Sequence, residues 1–158
     1  MNLQIKPAPV RKTIAVNASP SRAFEVFTSR MIRWWRPEHH IGLSPMKELV
    51  LEPRVGGRWY EVDEDGGVCE WGKVVAFEPP SRLVLAWQFN QDWKYDANFF
   101  TELEVRFIAD GAMTRVELEH RNLERFGDKA EEVHAALDSK DGWTGTLAAF
   151  AAHIEQAT

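Results

Sequence analysis

Residues 68–89 read VCEWGKVVAFEPPSRLVLAWQF, two apolar stretches separated by a Pro-Pro-Ser turn signal at 79–81. The second stretch alternates with a period of two, which is typical of a β-strand in an antiparallel sheet. One face of that strand carries Leu83, Leu85, Trp87 and Phe89. Rings of this size either fill a hydrophobic core or line a space for a ligand, and this stretch alone is compatible with both.

The strand pattern extends outward from this hairpin over residues 48–120. Glycine-containing turn signals at 65–67 and 110–111 divide it into further hairpins. The Gly-Gly pair at 56–57 suits a β-bulge or a residue with positive φ. With a further strand predicted over 10–16, the pattern indicates an antiparallel sheet of about six strands, apolar on one face and solvated on the other.

Helical segments flank the predicted sheet. A Ser-Pro pair at 19–20 is an N-terminal signal for two short helices after the first strand, and the proline at 37 ends them. In the C-terminal third, one helical face carries Val133, Ala136, Trp143, Leu147, Phe150 and Ile154. Gly142 and Gly145 each cost about 1 kcal/mol relative to alanine in a helix, which predicts a kink, a helix start near Asp141, or a close packing contact.

Length and charge restrict the class of protein. The chain has 158 residues, and we expect a single domain over 1–158 without linkers or low-complexity segments. A formal net charge of −5 disfavours binding to nucleic acid or to anionic membranes. The N-terminus lacks the apolar run of a signal peptide, and the only cysteine, Cys69, lies in an apolar strand as a buried free thiol would. We therefore expect a cytoplasmic protein.

Motifs for metal, nucleotide or covalent chemistry are missing from the sequence. Adjacent side chains such as His39 and His40 do not readily chelate one ion, and only Glu38 lies nearby in the chain, so we predict no metal and no cofactor. The acidic run EVDED at 61–65 lacks the ligand order of a calcium loop and is interpreted as a solvated hairpin tip. There is no GxSxG or glycine-rich phosphate loop, and Cys69 has no basic neighbour in the chain to activate it.

Five segments, in this order, resemble one family of proteins. They are ASPSRAFEVF at 18–27, WWRP at 34–37, EPRVGGRW at 52–59, WGKVVAFEPPSRLVLAW at 71–87 and GWTGTLAAFAAHI at 142–154. Together they resemble the bacterial proteins similar to the activator of Hsp90 ATPase homologue 1, within the START and Bet v 1-like (SRPBCC) superfamily. The resemblance implies an α+β helix-grip fold, in which a curved antiparallel sheet wraps around a long C-terminal helix.

A sheet that grips one helix leaves a gap at its wider end, where we expect a cavity for a small hydrophobic or aromatic molecule. The predicted lining residues are Trp34, Trp35, Trp71, Trp87, Phe89, His120, Trp143, Leu147 and Phe150. Of these, the pair at 34–35 is expected near the entrance. Apolar burial would drive binding, and His120 or Tyr60 would orient the ligand.

Two alternative functions are compatible with the same fold. A cofactor-independent cyclase, aromatase or hydrolase would use isolated polar groups, for which the candidates are Tyr60, Glu70, Arg82 and His120. Because Glu70 alternates with Cys69 and Trp71, only one of these two sets can face the cavity.

A co-chaperone-like interaction module would instead present Trp34, Trp35 or Trp93 to a protein partner, either a chaperone or a second copy of the chain. The resemblance implies little stimulation of Hsp90, because the NxNNWHW motif of the eukaryotic activator is absent. Among these functions we favour ligand binding over turnover.

Overall fold

Seven antiparallel strands form one sheet in the computed structural model, which describes residues 7–156. The strands are β1 (Val10–Val16), β2 (Met46–Leu51), β3 (Arg58–Asp63), β4 (Val68–Glu78), β5 (Arg82–Trp87), β6 (Thr101–Asp110) and β7 (Met113–Arg121). Their order is β1-β7-β6-β5-β4-β3-β2, so β2 to β7 form a meander and β1 joins its far edge. The predicted α+β class and antiparallel sheet are confirmed, with one strand more than the expected six.

Helices before β2 and after β7 accompany the sheet. They are α1 (Pro20–Ser29), α2 (Met31–Trp34), α3 (Ala130–Asp138) and α4 (Gly145–Gln156). A 3-10 segment (Leu123–Lys129) leads into α3, and a π-helical turn (Lys140–Thr144) separates α3 from α4. The expected long C-terminal helix is therefore divided in two, and only its second part, α4, is the terminal helix of the fold.

Local sequence signals explain the boundaries of the first helices. The Ser19 hydroxyl accepts a hydrogen bond from the backbone N–H of Arg22 at 3.2 Å, and Pro20 occupies the first helical position. Helix α2 ends because Trp35 adopts an extended conformation, with ψ of 141°. These boundaries agree with the predicted capping and proline signals.

The predicted turns are also present. Gly66 and Gly111 have φ of +85° and +63° in the turns after β3 and β6, and Gly56 has φ of +81° between β2 and β3. Side chains other than glycine rarely adopt this conformation, so these residues fix the positions of the hairpin turns.

The structure shows which face of β4 is turned toward the interior. Trp71 is buried, whereas Glu70 points outward and forms a two-fold ion pair with Arg58, at 2.7 and 3.0 Å. Cys69 is half-buried rather than buried as expected. Burial and the nearby negative charges of Glu61 and Asp63 raise the pKa of its thiol. The cysteine therefore stays in the weakly reactive thiol form.

One end of the interior is filled by aromatic rings from α1, α2, α4 and β6. Phe27 of α1 contacts Trp34 of α2 and Phe150 of α4, with ring centroids 4.7 and 5.2 Å apart. Phe24 and Phe107 extend this cluster, with their centroids 5.3 Å apart. We call these five rings the packed end of the interior. They hold α4 against the sheet through α1.

Candidate functional site

A cavity of about 470 Å³ lies at the other end of the interior, between the sheet and the broken C-terminal helical segment. Its walls include the aromatic side chains of Trp35, Trp71, Trp87, Phe89 and Trp143. We call this region the cavity end. Its volume is within the range of pockets that hold small organic ligands.

The helix break explains why space remains at this end. Ser139 is extended, with φ of −77° and ψ of 174°, so the chain leaves the axis of α3 before the π-helical turn. A Cβ atom on Gly142 would lie 2.3 Å from the carbonyl oxygen of Leu137 and 2.4 Å from that of Ala136. Both the predicted kink and the predicted close packing contact are therefore present at Gly142.

A second glycine, Gly145, lies in close contact with the π-helical turn and with Arg36, which follows α2. A Cβ atom on Gly145 would lie 2.2 Å from the carbonyl oxygen of Lys140 and 2.4 Å from Arg36 Nη1. The Arg36 guanidinium itself donates to the Lys140 carbonyl at 3.2 Å. Arg36, which follows the two tryptophans, thus holds the first carbonyl group of the π-helical turn.

The aromatic walls contact each other mainly edge to face. Trp35 and Trp71 have ring centroids 5.2 Å apart and planes inclined by 62°. Trp87 contacts Phe89 at 5.1 Å and Trp143 at 5.5 Å in the same manner. Edge-to-face pairs are favourable, and they fix the orientation of each ring relative to its neighbours. The aromatic walls of the cavity are therefore held in place by their contacts with each other.

His120 lies behind the walls and orients one of them. Trp143 Nε1 donates to His120 Nδ1 at 3.1 Å, and His120 Nε2 is 2.7 Å from the hydroxyl oxygen of Thr101. Because an indole N–H only donates, Nδ1 must be the unprotonated nitrogen and Nε2 carries the proton. Burial lowers the pKa of His120 to about 3, so the ring is neutral. Both ring nitrogens of His120 are hydrogen-bonded within the protein, and His120 does not line the cavity. It therefore positions Trp143 and, contrary to expectation, does not orient a ligand directly.

Three other predicted lining residues also lie away from the cavity walls. Trp34 and Phe150 belong to the packed end, where their ring centroids are 5.1 Å apart. Trp34 donates its indole N–H to the Val26 carbonyl at 3.1 Å, so its expected position near the entrance is wrong. Leu147 is fully packed in the core on the same helix as Phe150. Whether the five residues that do line the cavity bind a ligand stays a prediction.

Most candidate acid–base groups lie on the outer face of the sheet. Tyr60 is covered by the Arg58 guanidinium at 4.2 Å, and Arg82 donates to Glu104 at 2.5 Å. Glu70 also faces outward, so none of these three side chains converges on the cavity. Burial raises the pKa of Glu104, but hydrogen bonds from Arg82, Arg121 and Arg106 outweigh this effect and lower it to about 2. This outer network is structural.

The acidic run at 61–65 is only in part the solvated hairpin tip that the sequence indicated: Glu64 and Asp65 are exposed in the turn, but Glu61 and Asp63 are buried. Glu61 is completely buried, and its carboxylate accepts hydrogen bonds from Trp71 Nε1 at 2.9 Å and from the backbone N–H groups of Ile41 and Gly42 at 2.7 and 3.2 Å. Asp63 is buried as well and caps the turn through the backbone N–H groups of residues 65 and 67. Alternation along β3 turns both carboxylates inward, beside Trp59.

Through Glu61, the run connects a wall of the cavity to the loop over residues 39–42. That loop contributes His39, His40 and Ile41 to the cavity lining. His40 Nδ1 lies 4.0 Å from Glu61 Oε2. The neighbouring residue, Ile41, is 20 positions from Glu61 in the chain. Only the folded sheet brings these groups together, so local spacing in the sequence gave no signal for the pair.

The rim of the cavity is partly exposed. Trp93 is 46% exposed, and Ile41 is 38% exposed. Trp34 and Trp35, which the interaction-module alternative placed on the surface, are both buried. Of the three tryptophans, Trp93 is therefore the one accessible to a partner.

The described residues hold no cluster of three or more His, Cys, Asp or Glu side chains close enough to bind a metal ion. Over residues 7–156, no helix is both long and apolar enough to cross a membrane.

The curved seven-stranded sheet, its terminal helix and the intervening cavity define a helix-grip protein of the Bet v 1-like class. Residues 17–155 match the family described as activator of Hsp90 ATPase homolog 1-like protein, and the chain belongs to this family. The resemblance noted in the sequence is thus confirmed. A comparison with curated proteins gives no match.

Solved structures add relatives at two levels of similarity. An anthrahydroquino-γ-pyrone synthase, Txn09, is 42% identical over 94% of this chain and 98% of its own, with a TM-score of 0.66. The self-sacrificing resistance protein CalC from Micromonospora echinospora is 29% identical over 95% and 96%, with a TM-score of 0.70. The Aha1 dimer from Colwellia psychrerythraea is 16% identical over 94% and 97%, with a TM-score of 0.61, which shows the shared fold alone.

Proposed function

We propose that the protein binds a planar aromatic molecule of a few fused rings in the cavity between the sheet and the C-terminal helical segment. The observation that carries the proposal is the set of five aromatic side chains around about 470 Å³ of space. In the packed end, rings from facing elements fill the interior. In the cavity end, the break between α3 and α4 leaves space beside the rings, and a flat apolar ligand in that space would contact them.

A polar group on the wall supports a ligand that also carries a hydrogen-bond acceptor. The indole N–H of Trp87 is buried and has no hydrogen-bond partner within the described residues. A buried donor without a partner costs roughly 1–3 kcal/mol, so a ligand acceptor that paired with it would gain affinity. Aromatic ketones and quinones combine a flat apolar ring system with such an oxygen.

The relatives support the same ligand class. Txn09 is described as a synthase of an anthrahydroquinone-γ-pyrone, and its identity to this chain extends over nearly the whole of both proteins. An anthrahydroquinone is a planar system of three fused rings that carries oxygen substituents. We extend that ligand class to this chain, and we propose that it acts in the cytoplasm, because the sequence has a single cysteine that cannot form an intramolecular disulfide.

The test is a titration of protein fluorescence with 2-methoxyanthraquinone in two variants of α3. Both side chains are exposed on α3, but Ala136 lines the cavity, whereas its neighbour Ala135 does not. We expect saturable quenching in the wild type and in Ala135→Trp, and at least about tenfold weaker binding in Ala136→Trp, whose indole occupies the ligand space. Equal affinity in the two variants would contradict binding in this cavity.

The identity to a synthase favours a second function, closure of a γ-pyrone ring on the bound ligand. In such a reaction a phenol oxygen adds to a ketone carbon of a 1,3-diketone, and loss of water gives the ring, so no oxidant or cofactor is required. A suitable probe is 1-(2-hydroxyphenyl)butane-1,3-dione, which closes to 2-methylchromone and water. Turnover predicts faster chromone formation with wild type than with Ala136→Trp, whereas equal rates with both proteins would exclude catalysis of this closure in the cavity.

A further inference from the structure

The backbone on both sides of His40 is anchored to side chains of the cavity end. Before it, the carbonyl oxygen of His39 accepts a hydrogen bond from Trp35 Nε1 at 3.0 Å. After it, the N–H of Ile41 donates to Glu61 Oε1 at 2.7 Å. The imidazole of His40 is thus held at the cavity wall by a loop whose position is fixed from two directions.

The ring of His40 has one nitrogen directed toward a buried carboxylate. Nδ1 lies 4.0 Å from Glu61 Oε2, and it is buried without a hydrogen-bond partner within the described part of the chain. The three donors to Glu61 are all N–H groups, so both of its oxygens act as acceptors. A proton on Nδ1 suits that neighbour, which leaves Nε2 as the basic nitrogen for a ligand. The separation exceeds a hydrogen bond, and a small shift of the ring would close it.

Two other polar side chains of the cavity lining are already engaged. Ser139 donates its hydroxyl to the carbonyl oxygen of Ala136 at 2.7 Å. Asp141 is exposed and accepts from Arg36 Nη2 at 3.4 Å. His40 therefore combines contact with the cavity, a free nitrogen and a carboxylate behind it, which is the arrangement of an acid–base group with an orienting partner.

From this geometry, and resting on the proposed function, we propose that His40 is the base that takes the proton of a phenolic hydroxyl on the bound aromatic ligand. The O–H bond breaks, a bond forms between the proton and Nε2, and the electron pair stays on the phenolate oxygen, delocalised into the ring. Glu61 is a positioning residue, because it orients the ring and stabilises the imidazolium that forms. The substrate class is thereby narrowed from planar aromatics to those that bear a free phenol.

The experiment compares 2-hydroxyanthraquinone with 2-methoxyanthraquinone, which has the same ring system but no acidic proton. Visible absorbance reports the phenolate directly, in buffer acidic enough that the free hydroxy probe stays protonated. Wild type should shift the band of the bound hydroxy probe toward the phenolate position. His40→Gln should abolish this shift and weaken binding of the hydroxy probe about tenfold, the loss expected for one charge-assisted hydrogen bond. Its affinity for the methoxy probe should stay within about twofold.

His134→Gln is the control, because His134 lies on α3 outside the cavity lining. It should retain the shifted band. Glu61→Gln, if it folds, should bind the hydroxy probe with a reduced shift, since the imidazolium loses its counter-charge. The His40 comparison stands without that variant.

The possible failures are distinguishable. If the methoxy probe binds in the cavity but the band of the hydroxy probe is the same in wild type and His40→Gln, the role of His40 is overturned and the proposed function stands. The role of His40 is also overturned if His40→Gln weakens both probes equally, since that result indicates a structural role. If neither probe binds to wild type, the proposed function itself fails.

Discussion

The packed end and the cavity end both consist of aromatic side chains, but the interior is filled at the first and open at the second. At the packed end, Phe27 contacts rings from α2 and α4, at centroid distances of 4.7 and 5.2 Å. At the cavity end, Trp71 and Trp87 also contact neighbouring rings, but they border about 470 Å³ of space as well. The difference comes from the helical layer rather than from the sheet, because the C-terminal segment is continuous over one end and broken over the other.

The largest expected effect follows from truncation at the packed end. Phe150→Ala should lower the free energy of unfolding by about 3–5 kcal/mol, because the cavity left among the contacting rings cannot collapse fully. Phe89→Ala at the cavity end should cost only about 1–2 kcal/mol, because part of that ring already faces space. Urea denaturation of both variants measures the difference. Equal losses would show that the two ends are packed alike.

A substitution at the helix break should give the next largest loss of stability. In Gly142→Ala, the new methyl group would overlap the carbonyl oxygens of Leu137 and Ala136, and we expect a loss of up to about 3 kcal/mol. Thr144→Ala, at an exposed position of the same turn, is the control and should change stability by less than about 0.5 kcal/mol. A neutral Gly142→Ala variant, in the same urea assay, would mean that the turn is loosely held and does not define the cavity.

The pH dependence of stability tests the group behind the cavity wall. The unfolded chain binds a proton at His120 near the ordinary pKa of 6.5, whereas the folded protein does so only near pH 3. The stabilising contribution of neutral His120 is therefore complete above pH 6.5 and falls as the pH decreases toward 3, by about 2 kcal/mol at pH 5. His120→Gln, which can still accept from Trp143, should show a correspondingly shallower dependence between pH 6.5 and 5. Parallel curves for the two proteins would contradict the burial of a neutral imidazole.

The smallest effect on stability is expected at the rim. Trp93→Ala removes a half-exposed ring and should change the free energy of unfolding by less than about 0.5 kcal/mol. It should nevertheless weaken binding of 2-methoxyanthraquinone about threefold or more, because the ring lines the cavity entrance. Phe100→Ala, at a similarly exposed ring outside the cavity, should leave affinity unchanged. If both variants bind equally well, Trp93 makes no contact with the ligand.

Sequence periodicity predicted the parts of the site that belong to regular strands. Trp87 and Phe89 were assigned to one face by alternation, and both line the cavity. Alternation could not orient Trp34, because it lies at the end of a four-residue helix whose direction depends on α1 and α4. The position of Trp34 therefore became clear only with the fold.

The pair formed by His40 and Glu61 could not be predicted from the sequence, for a different reason. In the sequence, His40 was considered only as a metal ligand, next to His39, and Glu61 only as part of a solvated hairpin turn. Their proximity depends on the inward face of β3 and on the path of the loop before β2, which are properties of the assembled sheet. Buried carboxylates like Glu61 are rare enough that composition favours the exposed interpretation.

The most direct test of the central claim is a two-dimensional ¹⁵N–¹H spectrum of the tryptophan indole groups, recorded while 2-methoxyanthraquinone is added. The account predicts large shifts for the indole signals of Trp71, Trp87 and Trp143, which line the cavity, and almost none for Trp34, whose indole is bonded to Val26 in the packed end. Uniform small shifts, or shifts confined to Trp93, would contradict a ligand site between the sheet and the broken helix.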